Sequence, residues 1–144
     1  MRTKTFLITA MLICLFAAAN AQHSKPPAGN NKAASFFNGA WQGSENKSFV
    51  VIHEGYFNAV GQDSTGKWAE VHAGTITVNN DNTVTFKVLY SSYPDHIGSL
   101  NTAEYTVNGE TVKMRHFKKL VTAEGKDITD QMPKDAWETL TRMK

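Results

Sequence analysis

Apolar and polar residues alternate with a period of two over most of the chain after residue 35. Turn residues separate these stretches at the roughly eight- to twelve-residue spacing that is typical of all-β domains. The first clear hairpin has strands at 49–53 and 56–60 around the turn Glu54-Gly55, where glycine supplies a positive φ. Pairing across this turn places four apolar side chains on one face: Val50, Ile52, Phe57 and Ala59. We expect this face to point into a core.

Two further hairpins follow the first. Strands are predicted at 67–78 and 83–90, joined by the Asn-rich turn 79–82. One face of the second strand is apolar and consists of Val84, Phe86, Val88 and Tyr90. The next turn is Asn108-Gly109, a pair that favours the type I′ hairpin and predicts that Tyr105 lies opposite Val112.

The remaining pattern completes a barrel. A short strand at 40–42 and a last strand at 137–143 bring the total to about eight, and the only helical signal is a turn near 132–136. Short antiparallel strands joined by hairpins predict an all-β domain. An antiparallel up-and-down β-barrel is the architecture that we expect, because closure removes exposed strand edges.

The N-terminus has the pattern of a cleavable signal peptide. Arg2 and Lys4 form a short basic start, an apolar run occupies 6–19, and residues 19–21 read Ala-Asn-Ala, a small-x-small cleavage signal. A stable bilayer anchor needs about 20 apolar residues, which is longer than this run. We therefore expect cleavage after Ala21 and export to the periplasm or the medium.

Cleavage sets the domain boundaries and changes the charge. Residues 1–21 leave as the signal peptide, 22–35 form a flexible linker with Pro and Gly, and 36–144 form the barrel domain. Two of the 15 basic residues leave with the signal, so the exported chain matches its 13 acidic residues and is formally neutral. Neutrality gives no electrostatic reason to expect nucleic acid or an anionic membrane as a partner. Cys14 also leaves, which excludes disulfides and cysteine-based sites from the exported form.

Residues 37–42 read Phe-Asn-Gly-Ala-Trp-Gln and contain a Gly-x-Trp opening. With the hairpins above and a closing Trp-Glu-Thr-Leu-Thr-Arg, the chain resembles the small secreted lipocalin-like (calycin superfamily) proteins of Bacteroidetes-type bacteria. The resemblance spans about residues 36–144 and implies an up-and-down barrel that begins at Gly39, with Trp41 closing one end beneath a basic side chain of the last strand. Arg142 is the first candidate for that side chain and Arg115 the second. The function that the resemblance implies is ligand binding in general.

Six side chains are candidates for the lining of a ligand pocket in the barrel: Trp68, His72, Tyr90, Tyr105, Met114 and His116. A barrel of about eight strands is just wide enough for packed side chains or for one small ligand. Two interpretations therefore stay open. The interior is a pocket for a small apolar or amphipathic molecule, or it is solid and loops such as 91–101 and 122–134 bind a protein partner or act as an inhibitor.

Catalytic and metal sites are the least favoured interpretation. His72 shares a strand face with Glu70, and together with His116 they could act as metal ligands, haem ligands or an acid and base if all point inward. Their spacing matches no metal motif, no Gly-x-Ser-x-Gly elbow is present, and the Asp-His-x-Gly stretch at 95–98 has the pattern of a turn. The sequence therefore predicts no metal, no cofactor and no catalytic residue, and an exported binding protein is the leading hypothesis.

Overall fold

The computed structural model describes residues 35–44, 47–79 and 82–144, which form a closed antiparallel β-barrel. Each strand pairs with the next along the chain, and the last pairs with the first, which confirms the predicted all-β up-and-down barrel. The strands are β1 (Gly39–Gly43), β2 (Ser48–His53), β3 (Tyr56–Gln62), β4 (Trp68–Val78), β5 (Thr83–Ser91), β6 (Leu100–Asn108), β7 (Thr111–Val121) and β8 (Trp137–Arg142). The predicted signal peptide and almost all of the predicted linker lie outside the described residues.

The connections between strands lie at two ends of the barrel. The β2–β3, β4–β5 and β6–β7 turns lie at the end that carries the residues before β1, here named the closed end. The β1–β2, β3–β4, β5–β6 and β7–β8 connections lie at the opposite end, here named the open end. The 3-10 turns Pro94–His96 and Thr129–Gln131 belong to two of these open-end connections. Among the described residues, no helix has both the length and the apolar character needed to cross a membrane.

Aromatic side chains before and within β1 fill the closed end. Trp41 is fully buried, and its Nε1 donates to the carbonyl oxygen of Phe37 at 2.8 Å. Arg142 pairs with Trp41 in the register of β1 and β8, and its guanidinium carbon lies 4.3 Å from the centroid of the Trp41 ring. Its Nη1 donates to the carbonyl oxygen of Asn38 at 2.6 Å, and its Nη2 donates to that of Phe36. Arg142 thus lies where a basic partner of Trp41 was expected.

Gly39 is needed at this end for two reasons. Its φ of +136° is one that L side chains rarely adopt, and a Cβ at this position would lie 2.6 Å from Nη1 of Arg142.

Arg115, the second candidate partner for Trp41, lies elsewhere. Its Nη2 lies 2.5 Å from Oε2 of Glu104, and its guanidinium carbon lies 5.9 Å from the ring centroid of Trp137.

A β-bulge at the start of β4 turns Trp68 away from the interior. Ala69 is an extra residue opposite the step from Gly61 to Gln62. An extra residue reverses the alternation of inward and outward side chains beyond it. Trp68 is therefore 46% exposed and stacks on Phe49 with ring centroids 5.2 Å apart. The expectation that Trp68 lines the interior is corrected by this bulge.

A second bulge near the end of β5 has the same effect on Tyr90. Leu89 is an extra residue opposite the step from Ala73 to Gly74. Beyond it Tyr90 is 60% exposed, while Ser91 is buried. Tyr90 therefore lies outside the barrel, and its predicted place on the apolar face with Val88 is wrong for the same physical reason.

The hairpin between β6 and β7 has a different register from the predicted one. The two-residue turn starts one position later, at Gly109, whose φ of +57° suits the first position of a type II′ turn. Tyr105 therefore lies opposite Met114 and not opposite Val112. The predicted partner Val112 and the observed partner Met114 are both buried and lie on the same face of β7. The register differs from the prediction by two residues, so the same side chains still face inward.

Candidate functional site

A cavity of about 740 Å³ lies inside the barrel and extends to the open-end loops. Small-molecule pockets in proteins usually have volumes of about 300–1,000 Å³. The surface of the cavity is mainly apolar, and its apolar side chains come from the strands and from the β7–β8 loop: Val50, Ile52, Phe57, Ala59, Val60, Phe86, Val88, Met114, Phe117, Leu120, Ile128, Met132 and Leu140. Several polar lining residues belong to two groups of interacting side chains.

The first group, here named the inner polar cluster, consists of Ser48 on β2, His116 on β7 and Glu138 on β8. The Ser48 hydroxyl donates to Oε1 of Glu138, and Nε2 of His116 lies 3.1 Å from Oε2 of the same carboxylate. Gly43 makes room for the cluster, because a Cβ at that position would overlap the Ser48 hydroxyl and lie 2.5 Å from Oε1 of Glu138. Both carboxylate oxygens are therefore held in place.

The electrostatics of Glu138 reflect two opposing effects. Burial raises the pKa of Glu138, but the hydrogen bonds from His116 and Ser48 and the attraction to His116 outweigh it, so this pKa lies below its ordinary value. The carboxylate is accordingly charged at neutral pH. Within the part of the chain that the structure describes, no Lys or Arg lies within ion-pair distance of it, and its ion-pair partner is His116.

The second group, here named the mouth cluster, consists of the lining residues Glu70, His72 and His96 together with Ser91 and Tyr93, which contact them. Nδ1 of His72 lies 3.1 Å from the Ser91 hydroxyl oxygen. The His72 and His96 rings stack with centroids 5.5 Å apart and an angle of 15° between their planes. The Tyr93 hydroxyl donates to Oε1 of Glu70 at 3.2 Å. This cluster joins the first residues of β4 to the end of β5 and the β5–β6 loop.

The mouth cluster keeps one imidazole uncharged. Burial lowers the pKa of His72, the neighbouring His96 lowers it further, and the negative charge of Glu70 compensates only in part. At neutral pH the His72 ring is therefore a neutral hydrogen-bonding group at the cavity wall.

The β7–β8 loop forms part of the cavity wall. The backbone N–H of Leu120 donates to the Thr129 hydroxyl at 2.8 Å, and the N–H of Ile128 donates to the Leu120 carbonyl at 2.9 Å. These bonds hold the loop beside the end of β7, with Ile128 and Met132 in the lining. The loop segment that the sequence suggested as a partner surface thus contributes to the interior.

The structure brings together three of the six predicted lining residues: His72, Met114 and His116. Trp68 and Tyr90 lie outside the barrel wall because of the two bulges. Tyr105 lies at the closed end, where its ring packs edge-on against Phe37 with centroids 5.0 Å apart. Trp137, the first residue of β8, is 48% exposed, with Nζ of Lys113 4.7 Å from its ring centroid.

Sequence reasoning missed Glu138, Ser48 and His96. The alternation of β8 places Glu138 on the face of Leu140, and that of β2 places Ser48 on the face of Val50, so the period-two pattern held a usable signal for both. His96 lies in a 3-10 turn, where no periodicity predicts the direction of a side chain.

The inner polar cluster is arranged to bind polar groups. Glu138 stands between Ser48 and His116, whereas a nucleophilic triad places the imidazole next to the hydroxyl. Among residues 35–44, 47–79 and 82–144, no three His, Cys, Asp or Glu side chains are grouped as a metal ion would require. Carboxylate, hydroxyl and imidazole groups in an apolar wall are suited to orienting a ligand through hydrogen bonds.

Comparisons with known proteins do not assign the chain to a family. No family model matches the sequence, and no curated protein matches it significantly. The geometry and chemistry of the cavity are therefore the basis for its function.

Proposed function

We propose that the chain is an exported, lipocalin-like binding protein, not an enzyme, whose barrel holds a small apolar or amphipathic molecule. The observation that carries this proposal is the cavity of about 740 Å³ with its largely apolar lining. The signal-peptide pattern of residues 1–21 supports export, and the contact of Arg142 with Trp41 supports the lipocalin-like assignment.

The cavity also favours this function over the solid-core interaction module. Unfilled space in a barrel forfeits packing contacts, so a protein that acted only through its loops would gain stability from a filled interior. The loops that this alternative assigns to a partner instead contribute His96, Ile128 and Met132 to the cavity lining. A ligand-filled barrel accounts for both features.

A fluorescence titration of the exported form tests the proposal with N-phenylnaphthylamine, a neutral apolar fluorophore. We expect saturable emission enhancement with one molecule bound per chain. Ala59→Phe places a ring in the cavity and should raise the Kd of the fluorophore by about tenfold or more, which corresponds to a loss of about 1.4 kcal/mol of binding free energy. Ala59→Leu is a smaller replacement that should give a weaker effect of the same sign, and circular dichroism verifies folding of both.

Two variants outside the cavity serve as controls. Val51→Phe adds the same ring at an outward position that is 54% exposed, and Trp68→Ala removes an outward aromatic ring. For both variants the Kd of the fluorophore should stay within about twofold of that of the unsubstituted protein, a difference of roughly 0.4 kcal/mol in binding free energy. Absence of saturable binding, or an equal effect of the Phe replacement at positions 51 and 59 in folded protein, would contradict the proposal.

A further inference from the structure

The cavity lining has more negatively charged than positively charged side chains. Among the residues that the structure describes, the lining contains the carboxylates Glu70, Asp95, Glu124 and Glu138, and one Lys or Arg, which is Lys47. The complete chain, by contrast, has 15 basic and 13 acidic residues. The excess of negative charge is therefore a property of the cavity and not of the chain as a whole.

Glu138 lies among buried apolar residues of the cavity wall. It lies opposite Met114 on β7 and two residues before Leu140, both of which are buried, and its own side chain is 27% exposed. Charge held away from water is costly unless an opposite charge or hydrogen bonds compensate it. In the described structure the compensation comes from the Ser48 hydroxyl and the His116 imidazole. A positive charge beside this carboxylate would add a further favourable interaction with it.

The other lining carboxylates lie along the route into the cavity. Glu70 belongs to the mouth cluster, Asp95 to the β5–β6 loop and Glu124 to the β7–β8 loop. A concave surface with charges of one sign raises the local concentration of the opposite ion and speeds its association. The charges of the cavity lining therefore favour cations over anions.

We propose that the occupant of the cavity is an amphipathic cation, with an apolar body among side chains such as Phe57 and Phe86 and an ammonium group directed at Glu138. This inference rests on the proposed binding function and names its ligand class. The cavity itself is the site, and its carboxylates select the charge of the ligand. An amphipathic carboxylate of the same shape would meet four like charges and a single lysine, which is the repulsive element that specificity needs.

A matched series of small ligands tests the inference at neutral pH. Naphthylethylamine is a cation, naphthylethanol is neutral and naphthylacetate is an anion, while the apolar body is the same naphthyl ring. Calorimetry gives each Kd, and displacement of N-phenylnaphthylamine shows that binding occurs in the cavity. We expect the amine to bind about tenfold more tightly than the alcohol, and the carboxylate to bind more weakly than the alcohol.

Glu138→Gln locates the charge preference. The amide retains the shape and can still accept a hydrogen bond, so we expect the folded state to persist, while the ratio of the affinity for the amine to that for the alcohol falls to about threefold or less. Glu70→Gln is a second variant, at the mouth, and should reduce the preference by a smaller factor. Glu110→Gln is the matched control, because Glu110 lies at the exposed closed-end turn and should leave the preference unchanged.

The possible results separate this inference from the proposed function. Equal binding of all three ligands, or tightest binding of the carboxylate, would overturn the inference and leave the binding function standing. Retention of the full amine preference in Glu138→Gln would overturn the role of that carboxylate. Failure of all three ligands and of the fluorophore to bind would overturn both proposals.

Discussion

At the scale of single residues, Arg142 connects the start of the folded domain to its last strand. Its guanidinium group faces the Trp41 ring and donates to the carbonyl oxygens of Asn38 and Phe36. These carbonyls belong to and directly follow a short helical segment at 35–37. The lipocalin-like resemblance implied this partner from the Gly-x-Trp pattern, and the structure adds that the close approach of Arg142 requires glycine at position 39.

Arg142→Met should lower the free energy of unfolding by about 2–4 kcal/mol. The variant retains an apolar stem but leaves two partly buried carbonyls without a charged donor and removes the cation from the Trp41 ring. Urea denaturation followed by tryptophan fluorescence measures the change.

Arg115→Met is the matched control for that measurement. The pair of Arg115 with Glu104 is about one-third exposed, and such pairs contribute roughly 0–1 kcal/mol. Comparable losses for the two arginine variants would show that the closed-end contacts of Arg142 add nothing beyond an ordinary surface pair.

At the scale of strands, the alternation of residue types located the strands correctly but failed to place side chains near bulges. The inward face of β2 and β3 was predictable because both run without a bulge from the turn to Ala59. Ala69 and Leu89 each insert one residue, and neither has a side chain that distinguishes it from a regular strand residue. The faces of Trp68 and Tyr90 therefore could not be read from the pattern.

Gly74→Ala should destabilise the protein by about 2 kcal/mol or more. Gly74 borders the bulge between β4 and β5, and a Cβ there would overlap the carbonyl oxygen of Lys87 and lie 3.0 Å from the backbone nitrogen of Leu89. Backbone atoms of a paired strand cannot move aside as a flexible side chain can, so the added methyl group must distort the sheet. Thermal unfolding followed by circular dichroism reports the loss.

Gly61→Ala controls for the general effect of replacing glycine in a strand. Gly61 also borders a bulge, but the nearest atom to its added Cβ lies at 3.6 Å, an ordinary contact. Alanine reduces the freedom of the unfolded chain, so this variant should be neutral or stabilising by up to about 1 kcal/mol. Equal destabilisation by both substitutions would contradict the steric role of Gly74.

At the scale of the whole molecule, closure of the barrel was predictable and its cavity was not. Hairpin spacing and alternation indicated about eight antiparallel strands, which is the number that the structure has. Whether such a barrel is filled depends on the summed volumes of its inward side chains and on how the open-end loops fold. His96, Ile128 and Met132 reach the lining from loops without periodicity, so no pattern in the sequence could place them there.

The polar groups of the cavity give the whole molecule a sensitivity to acid. The pKa of His72 lies below its ordinary value of 6.5, so as the pH falls past that value the unfolded chain takes up a proton that the folded chain resists. The pKa of Glu138 lies below its ordinary value of 4.5, so its stabilising charge is present above that value and is lost as the pH falls through the folded pKa. Both groups therefore make folding less favourable as the pH decreases, in two separate windows.

The midpoint of thermal unfolding should consequently change little above pH 6.5 and should fall in two stages below it. His72→Gln should reduce the fall just below pH 6.5, because the amide cannot take up a proton in the unfolded chain. Glu138→Gln should reduce the fall below pH 4.5 for the corresponding reason. Circular dichroism melts across this pH range test both variants, and each serves as the control for the window of the other. A midpoint that rises with acidification, or a variant that flattens the wrong window, would show that these two cavity groups do not couple to folding in this way.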